Sequence, residues 1–146
     1  MLETVSHLRV LLYYTILMIA NGLPYCYNII MRTTQRKGDI AVSQAIARFT
    51  KMGYDVSLPI TESASYDLIV DIIKSLKKVQ VRYSSVKQVQ LRRIHSNSNG
   101  YVVKKTKPNA YDWLYIFKSN GEEYLIRECL ANRNCITPTK EYLIKN

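Results

Sequence analysis

Between Asp39 and Lys51 the apolar residues Ile40, Val42, Ala45, Ile46 and Phe49 recur three and four apart, the spacing of one helix face. A helix is therefore expected over Asp39–Lys51, with Gly53 as its C′ stop. The stretch before it, Arg32–Gly38, reads as a short basic, polar arm. Beyond Gly53 the period changes to two, as in half-buried strands. Tyr54–Leu58 alternates and ends at Pro59, and Thr61–Ser65 is a polar loop. Tyr66–Val70 reads as a buried strand and Lys78–Tyr83 as an alternating one. Lys87–Ile94 reads as a further strand, with Val89 and Leu91 opposing Gln88, Gln90 and Arg92. Ser96–Gly100 is a turn or mobile loop, and Trp113–Phe117 with Glu123–Ile126 a hairpin across Ser119-Asn120-Gly121. Pro138–Ile144 is expected to close the chain as a small helix. The order gives an α+β fold, a mixed sheet flanked by helices, with several strands capable of antiparallel pairing.

The first thirty residues follow another pattern. From Val10 to Met31 no residue is charged, a span long enough for a bilayer, although Asn21, Gly22, Pro24 and Asn28 interrupt its second half. A membrane span, a signal peptide and an upstream extension before a natural start at Met31 are the three readings. One Arg and no small-x-small site argue against the second. The self-sufficient, basic sequence from Met31 onward favours the third. Residues 1–30 are thus expected to be a separate hydrophobic extension and 31–146 the working domain.

Composition narrows the class. The 146 residues support one domain, and 47% hydrophobic with 22% charged excludes a wholly disordered chain. Three cysteines make no disulfide framework, which points to a reducing compartment, and two histidines are too few for a His-rich metal site. The net charge of +10 falls entirely on residues 31–146, and no acidic residue lies between Asp71 and Asp112, where ten basic ones do. Such a run is commonly a solvated face, but here it crosses several strands and reads better as a basic sheet face or groove for a polyanion. Nucleic acid comes first as partner and an anionic membrane second.

One constellation carries chemistry. Asp67 opens a buried strand, where a carboxylate needs a cation, a metal or hydrogen bonds. Gln80 and Arg82, two apart on the next strand, share a face. A carboxylate and an i, i+2 polar pair on adjacent strands can converge on one point, as needed to hold Mg²⁺ beside a scissile phosphate with a cation near the developing charge. The same spacing equally suits a structural salt bridge between Asp67 and Arg82.

The segment KGDIAVSQAIARFTKMGYDVSLPITESASYDLIVD followed by KKVQVRYSS resembles the PD-(D/E)XK nuclease superfamily, and most closely the group I intron-associated homing endonucleases of cyanobacterial type. The similarity runs over Gln35–Leu143, with helix, Pro59, YDL, VQV and YDWLYI in family order. It implies a restriction-endonuclease-like core, Mg²⁺-dependent cleavage of double-stranded DNA, and a homo-oligomer, dimer or tetramer, reading a long site. It places Asp67 as metal-binding Asp, Gln80 at the second metal position and Arg82 where Lys is usual. The helix Glu of the family is replaced by Val42 in the pair Ala41-Val42, with Asp39 one turn away as a substitute ligand. Arg82 keeps the positive charge but holds its proton, so it stabilises charge and does not act as a base.

The resemblance also makes QLRRIHSNSNGYVVKKTKPNAYDWLYI the DNA-facing strand, loop and return strand. Lys87, Gln90, Arg92, Arg93, His95, Asn97, Asn99, Lys104, Lys105 and Lys107 are the candidate DNA contacts, lysines to phosphates and one of Arg92 and Arg93 to a base edge. Tyr83 and Tyr101 are further candidates. Cys129 and Cys135 have no CxxC or paired His, so zinc is not expected. The functional expectation is a sequence-specific endonuclease of intron-homing type. A cleavage-impaired DNA-binding homologue and a single-span membrane protein with a basic cytosolic domain are the alternatives. The expected location is cytoplasmic and nucleoid-associated, or an organellar stroma, and not secreted.

Overall fold

The computed structural model describes residues 33–61, 63–97 and 100–145. The hydrophobic segment 1–30 and Asn99 lie outside them. Contacts group Arg36–Asn146 into one compact unit. The described elements are α1 (Thr33–Lys51), β1 (Asp55–Ser57), β2 (Leu68–Ile72), β3 (Ser75–Ser84), β4 (Val89–Gln90), β5 (Arg93–Asn97), β6 (Gly100–Lys104), β7 (Trp113–Lys118), β8 (Glu123–Ile126), β9 (Cys135–Ile136) and a 3₁₀ turn at Lys140–Tyr142.

Helix α1 begins two turns earlier than its apolar periodicity does. Residues 33–40 are all exposed, so no burial pattern marks them, and Gln35, Arg36 and Lys37 are ordinary helix formers. The expected arm is therefore the solvated start of the helix. Ala41, Ala45 and Phe49, four apart, bury the inner face. The helix ends in a Schellman motif: Tyr54 N–H donates to the Phe49 carbonyl at 3.1 Å and Gly53 N–H to that of Thr50 at 2.9 Å. Gly53 adopts φ +80° there, as the sequence predicts.

The five-stranded sheet has the order β1-β2-β3-β7-β8. Neighbours are antiparallel except β3 and β7, which run parallel with Val79 opposite Trp113 and Ser84 opposite Lys118. A parallel pair needs a long crossover, and β4–β6 lie within it. The sheet is thus mixed, as expected. Val79 and Val81 face α1 in a cluster with Phe49, Trp113 and Tyr115. Leu114 and Ile116 face the other way, where Val89, Leu91, Tyr111 and Leu130 cover them. Burial on both faces explains why WLYIF reads as a continuous apolar run.

Three further expectations change. The strand over Lys87–Ile94 divides, because Leu91 is buried against the sheet and its N–H donates to the Asn134 carbonyl at 2.9 Å. The chain leaves that ribbon with β9 to start another, β5–β6, which registers Arg93 with Lys104 and Asn97 with Gly100. Within the expected turn or loop at Ser96–Gly100, Ser96, Asn97 and Gly100 are strand residues of this ribbon, and Ser98 and Asn99 lie outside the described residues. The closing helix is a single 3₁₀ turn, since the chain pairs with β8 instead: Ile144 N–H donates to the Glu123 carbonyl at 2.9 Å, and Leu143 bridges Tyr124. Among the described residues no helix is long and apolar enough to cross a membrane.

One ion pair fastens α1 to the sheet. Glu123, 5% exposed, accepts from Arg48 Nε at 2.7 Å and Nη2 at 2.8 Å, from Gln44 Nε2 at 3.0 Å and from the Tyr115 hydroxyl at 2.6 Å. Burial pushes its carboxyl up, but the bonds from Arg48, Tyr115 and Gln44 outweigh burial and hold it below the ordinary 4.5.

Three substitutions test the ion pair and the helix stop. Arg48→Met strands the Glu123 carboxylate and lowers unfolding stability by about 3–5 kcal/mol in urea titration. Glu123 stabilises fully above its unfolded pKa, and that contribution is lost as pH falls through the lower folded value; acid titration of Glu123→Gln should lack this acidic limb. Gly53→Ala, strained by φ alone in open space, costs about 1–2 kcal/mol.

Candidate active site

Backbone pairing of β2 with β3 stops at Leu68 opposite Val79, with Asp67 N–H donating to the Val79 carbonyl at 2.9 Å. The Asp67 side chain continues the ladder. Its Oδ2 accepts from Val81 N–H at 2.6 Å and from Gln80 Nε2. A carboxylate takes only donors, so Gln80 presents its NH₂ to Asp67, and Oε1 is its acceptor atom. Gln80 is 3% exposed, fixed on a strand buried on both sides. The structure thus brings Asp67 and Gln80 into contact as the spacing suggests. It adds a third member, the Val81 amide, that no residue type announces.

Arg82 lies on the same face of β3 as Gln80, two residues on, opposite Ile116. Its Nη2 reaches the Leu91 carbonyl at 3.5 Å, at the junction of β4 and β5. Tyr111 is nearby: burial pushes its phenol up, while the Arg82 charge draws it down, and its hydroxyl accepts from Leu130 N–H at 3.2 Å. The guanidinium therefore ties the strand of the site to the root of the β5–β6 ribbon.

A cavity of about 340 Å³ opens beside Asp67, lined by Val42, Leu58, Pro59, Ile60, Thr61, Ala64, Tyr66 and Asp67. The helix contributes apolar Val42 to this wall. Asp39, three residues earlier and so adjacent to Val42 on the helix surface, is exposed. Among the described residues no three His, Cys, Asp or Glu side chains stand close enough together to hold a metal ion. Cys129 and Cys135 are half-buried free thiols. The donors available at Asp67 and Gln80 are hard oxygens, the class that Mg²⁺ and Ca²⁺ take.

The basic positions distribute over the connections. Lys87, Gln90, Arg92, Lys105 and Lys107 are exposed. Arg92 Nη2 meets Gln90 Oε1 at 3.4 Å, outside any strand, so strict alternation with Arg93 does not apply. For Arg93, His95, Asn97 and Lys104 the backbone register in the β5–β6 ribbon is described. Lys118 was not singled out by sequence; it is 8% exposed, and burial pulls its ammonium below the ordinary 10.5. Its Nζ donates to the Val86 carbonyl and to that of Lys87 at 3.0 Å, which fixes the segment presenting Lys87. The Arg48–Gln44–Glu123 set was also missed, although Gln44 and Arg48 stand four apart on the helix.

A family model described as PD-(D/E)XK endonuclease matches residues 32–127, a span that includes Asp67, Gln80, Arg82 and every basic candidate. Among solved structures, one titled as a bacterial homing endonuclease, I-Ssp6803I, is 28% identical with a TM-score of 0.64. That match covers 74% of this chain and 79% of the other. A search of curated proteins finds no match.

Asp67→Ala should leave Val81 N–H without its acceptor and cost about 1–3 kcal/mol, whereas Asp67→Asn retains an acceptor oxygen and costs less. Paired denaturant titrations measure the difference.

Proposed function

The chain belongs to the PD-(D/E)XK endonuclease family, and from that premise we propose that it is a sequence-specific, Mg²⁺-dependent double-strand DNA endonuclease of intron-homing type. The observation that carries the proposal is the Asp67 carboxylate, oriented by Gln80 and the Val81 amide at the edge of a cavity in a strongly basic chain. The similarity to a bacterial homing endonuclease supports the intron-homing part.

In this reading Asp67 and the Gln80 carbonyl oxygen hold the metal, with Asp39 at the rim as the further carboxylate. Mg²⁺ keeps several waters and is commonly bound by one or two carboxylates together with substrate phosphate, so a site poor in carboxylates suits a DNA phosphate as the completing ligand. When bound, the ion supplies Lewis-acid polarisation and an activated water. The remaining chemistry belongs to the chain. Gln80 and Val81 N–H fix the Asp67 carboxylate, so it spends no reorganisation as charge develops. Arg82 stays protonated and adds positive potential on the same face of β3, without serving as a base.

Lys87, Lys104, Lys105 and Lys107 provide phosphate contacts. Arg92, Arg93, Gln90, His95, Asn97 and Asn99 are the candidates for groove readout, and a two-stranded ribbon such as β5–β6 has the width a major groove admits. A homo-oligomer, dimer or tetramer, would let repeated ribbons read one long site, with the chain acting beside the nucleoid or in an organellar stroma. A second reading, a DNA-binding homologue impaired in cleavage, is favoured by Val42 in the cavity wall where the related nucleases carry a carboxylate.

Incubation with Mg²⁺ and a plasmid carrying candidate insertion sites separates the two readings. Linear product is expected from the wild type and none from Asp67→Asn, with DNA binding retained by the variant; full cleavage by Asp67→Asn overturns the assignment of this site. Binding should weaken steeply with salt, and Lys105→Ala and Lys107→Ala should each reduce the salt slope by about 1.

A further inference from the structure

The turn that joins β2 to β3 consists of two residues, Ile73 and Lys74, between the paired Ile72 and Ser75. Both have positive φ, 22° and 72°. Two-residue hairpins with positive φ at both positions favour Asn-Gly, and a β-branched residue there is a backbone outlier. Nor is the isoleucine compensated by burial: its side chain is 89% exposed, and Leu76 just beyond is 65% exposed. Strain and exposed apolar surface coincide at one tip, and both oppose folding. Strain held in this way is characteristic of functional positions.

The surroundings of the tip indicate what it meets. Lys74, Lys77 and Lys78 follow Ile73; the carboxylates near them are Asp71, Asp55 opposite it on β1, and Asp112, which accepts from Lys78 N–H, so at the tip itself the charge is that of Lys74. Leu76, Lys78 and Gln80 alternate onto one face of β3, the face that carries the Asp67 contact. Lys78 lies over the Tyr66 ring at 5.9 Å on the way. The tip is six residues from Asp67 along β2, about 20 Å at strand rise. The tip thus lies within about one helical turn's length of Asp67, close enough for one duplex to reach both. A tip-to-tip contact between two copies would set Lys74 against Lys74. Duplex DNA instead offers phosphates to the lysines and a base stack to an apolar wedge.

We propose that the β2–β3 hairpin tip is a second DNA-contact element, distinct from the β5–β6 ribbon, in which Ile73 wedges against a base step from the minor groove and Lys74 binds a flanking phosphate. The inference rests on the endonuclease reading.

The test uses the full chain without Mg²⁺ and a mixed-sequence duplex about three helical turns long, labelled for anisotropy and substituted with 2-aminopurine. Wild type should bind and brighten the 2-aminopurine as a step unstacks. Ile73→Asn relieves the turn, so its Tm should rise while affinity falls about tenfold and the brightening is lost. Lys74→Ala should reduce the salt slope by about 1 and keeps the test available should Ile73→Asn fail to fold. Failure of the wild type to bind DNA removes the endonuclease reading itself. Wild-type binding that weakens in Lys105→Ala and Lys107→Ala but is unchanged in both hairpin variants overturns the hairpin proposal alone. A change in sedimentation coefficient with unchanged DNA binding assigns the tip to a subunit interface and likewise overturns it.

Discussion

A strand covered on both faces has to satisfy every amide it buries, and in this protein that requirement shapes the centre of the sheet. Strand β3 is longer than either neighbour's paired stretch. Where β2 stops at Leu68, the Asp67 carboxylate accepts from Val81 N–H; where β7 starts at Trp113, the Asp112 carboxylate accepts from Lys78 N–H at 2.8 Å. Two aspartates thus complete the ladders on the two edges of one strand. At Asp67 this places an acidic group beside an open cavity, held by donors that fix its direction. The chemistry proposed for the site uses a carboxylate that the fold needs for its own hydrogen bonding.

Glu123 shows the other way to keep a carboxylate inside. It is met by a bidentate guanidinium, a carboxamide and a phenol, all inside the interface of α1 with β7 and β8. Such a pair adds less net stability than its short distances suggest, because desolvation opposes it, but leaving either partner alone is costly. Its effect is to specify how α1 lies on the sheet. That in turn sets Val42 against the cavity of Asp67. Lys118 performs a comparable task on the opposite face, where its buried ammonium gathers the carbonyls of Val86 and Lys87.

Part of the positive charge is carried by segments beyond the five-stranded sheet and α1, and part by α1 and β3 themselves. The β5–β6 ribbon, the Lys105–Lys107 return and the β2–β3 tip all extend from strands whose other ends are packed. Arg82 links two of these regions by reaching from β3 to the Leu91 carbonyl at the ribbon's root. An arginine does this better than a lysine, since its planar fork spans distance with direction.

Much of this was legible in the residues. Periodicity placed Ala45 and Phe49 on the buried face of α1, though Ile40, counted with them, is 52% exposed and Ala41 is buried in its place; Gly53 marked the helix end and Asn120-Gly121 the β7–β8 turn, because each is a local preference. Period two put Gln80 and Arg82 on one face, and the acid-free run from Asp71 to Asp112 located the basic segments. The exposed opening turns of α1 carry no apolar period and so went unread. The parallel pairing of β3 with β7 was not legible, since strand direction depends on which long-range partner is reached. Nor was the division of Lys87–Ile94, which follows from Leu91 finding the far face of the sheet. The sequence by itself determined which residues carry charge and which faces are apolar; only the tertiary structure decided that Asp67 meets Gln80 and Val81, because a backbone amide acquires its acceptor from strand register, a property no single residue holds.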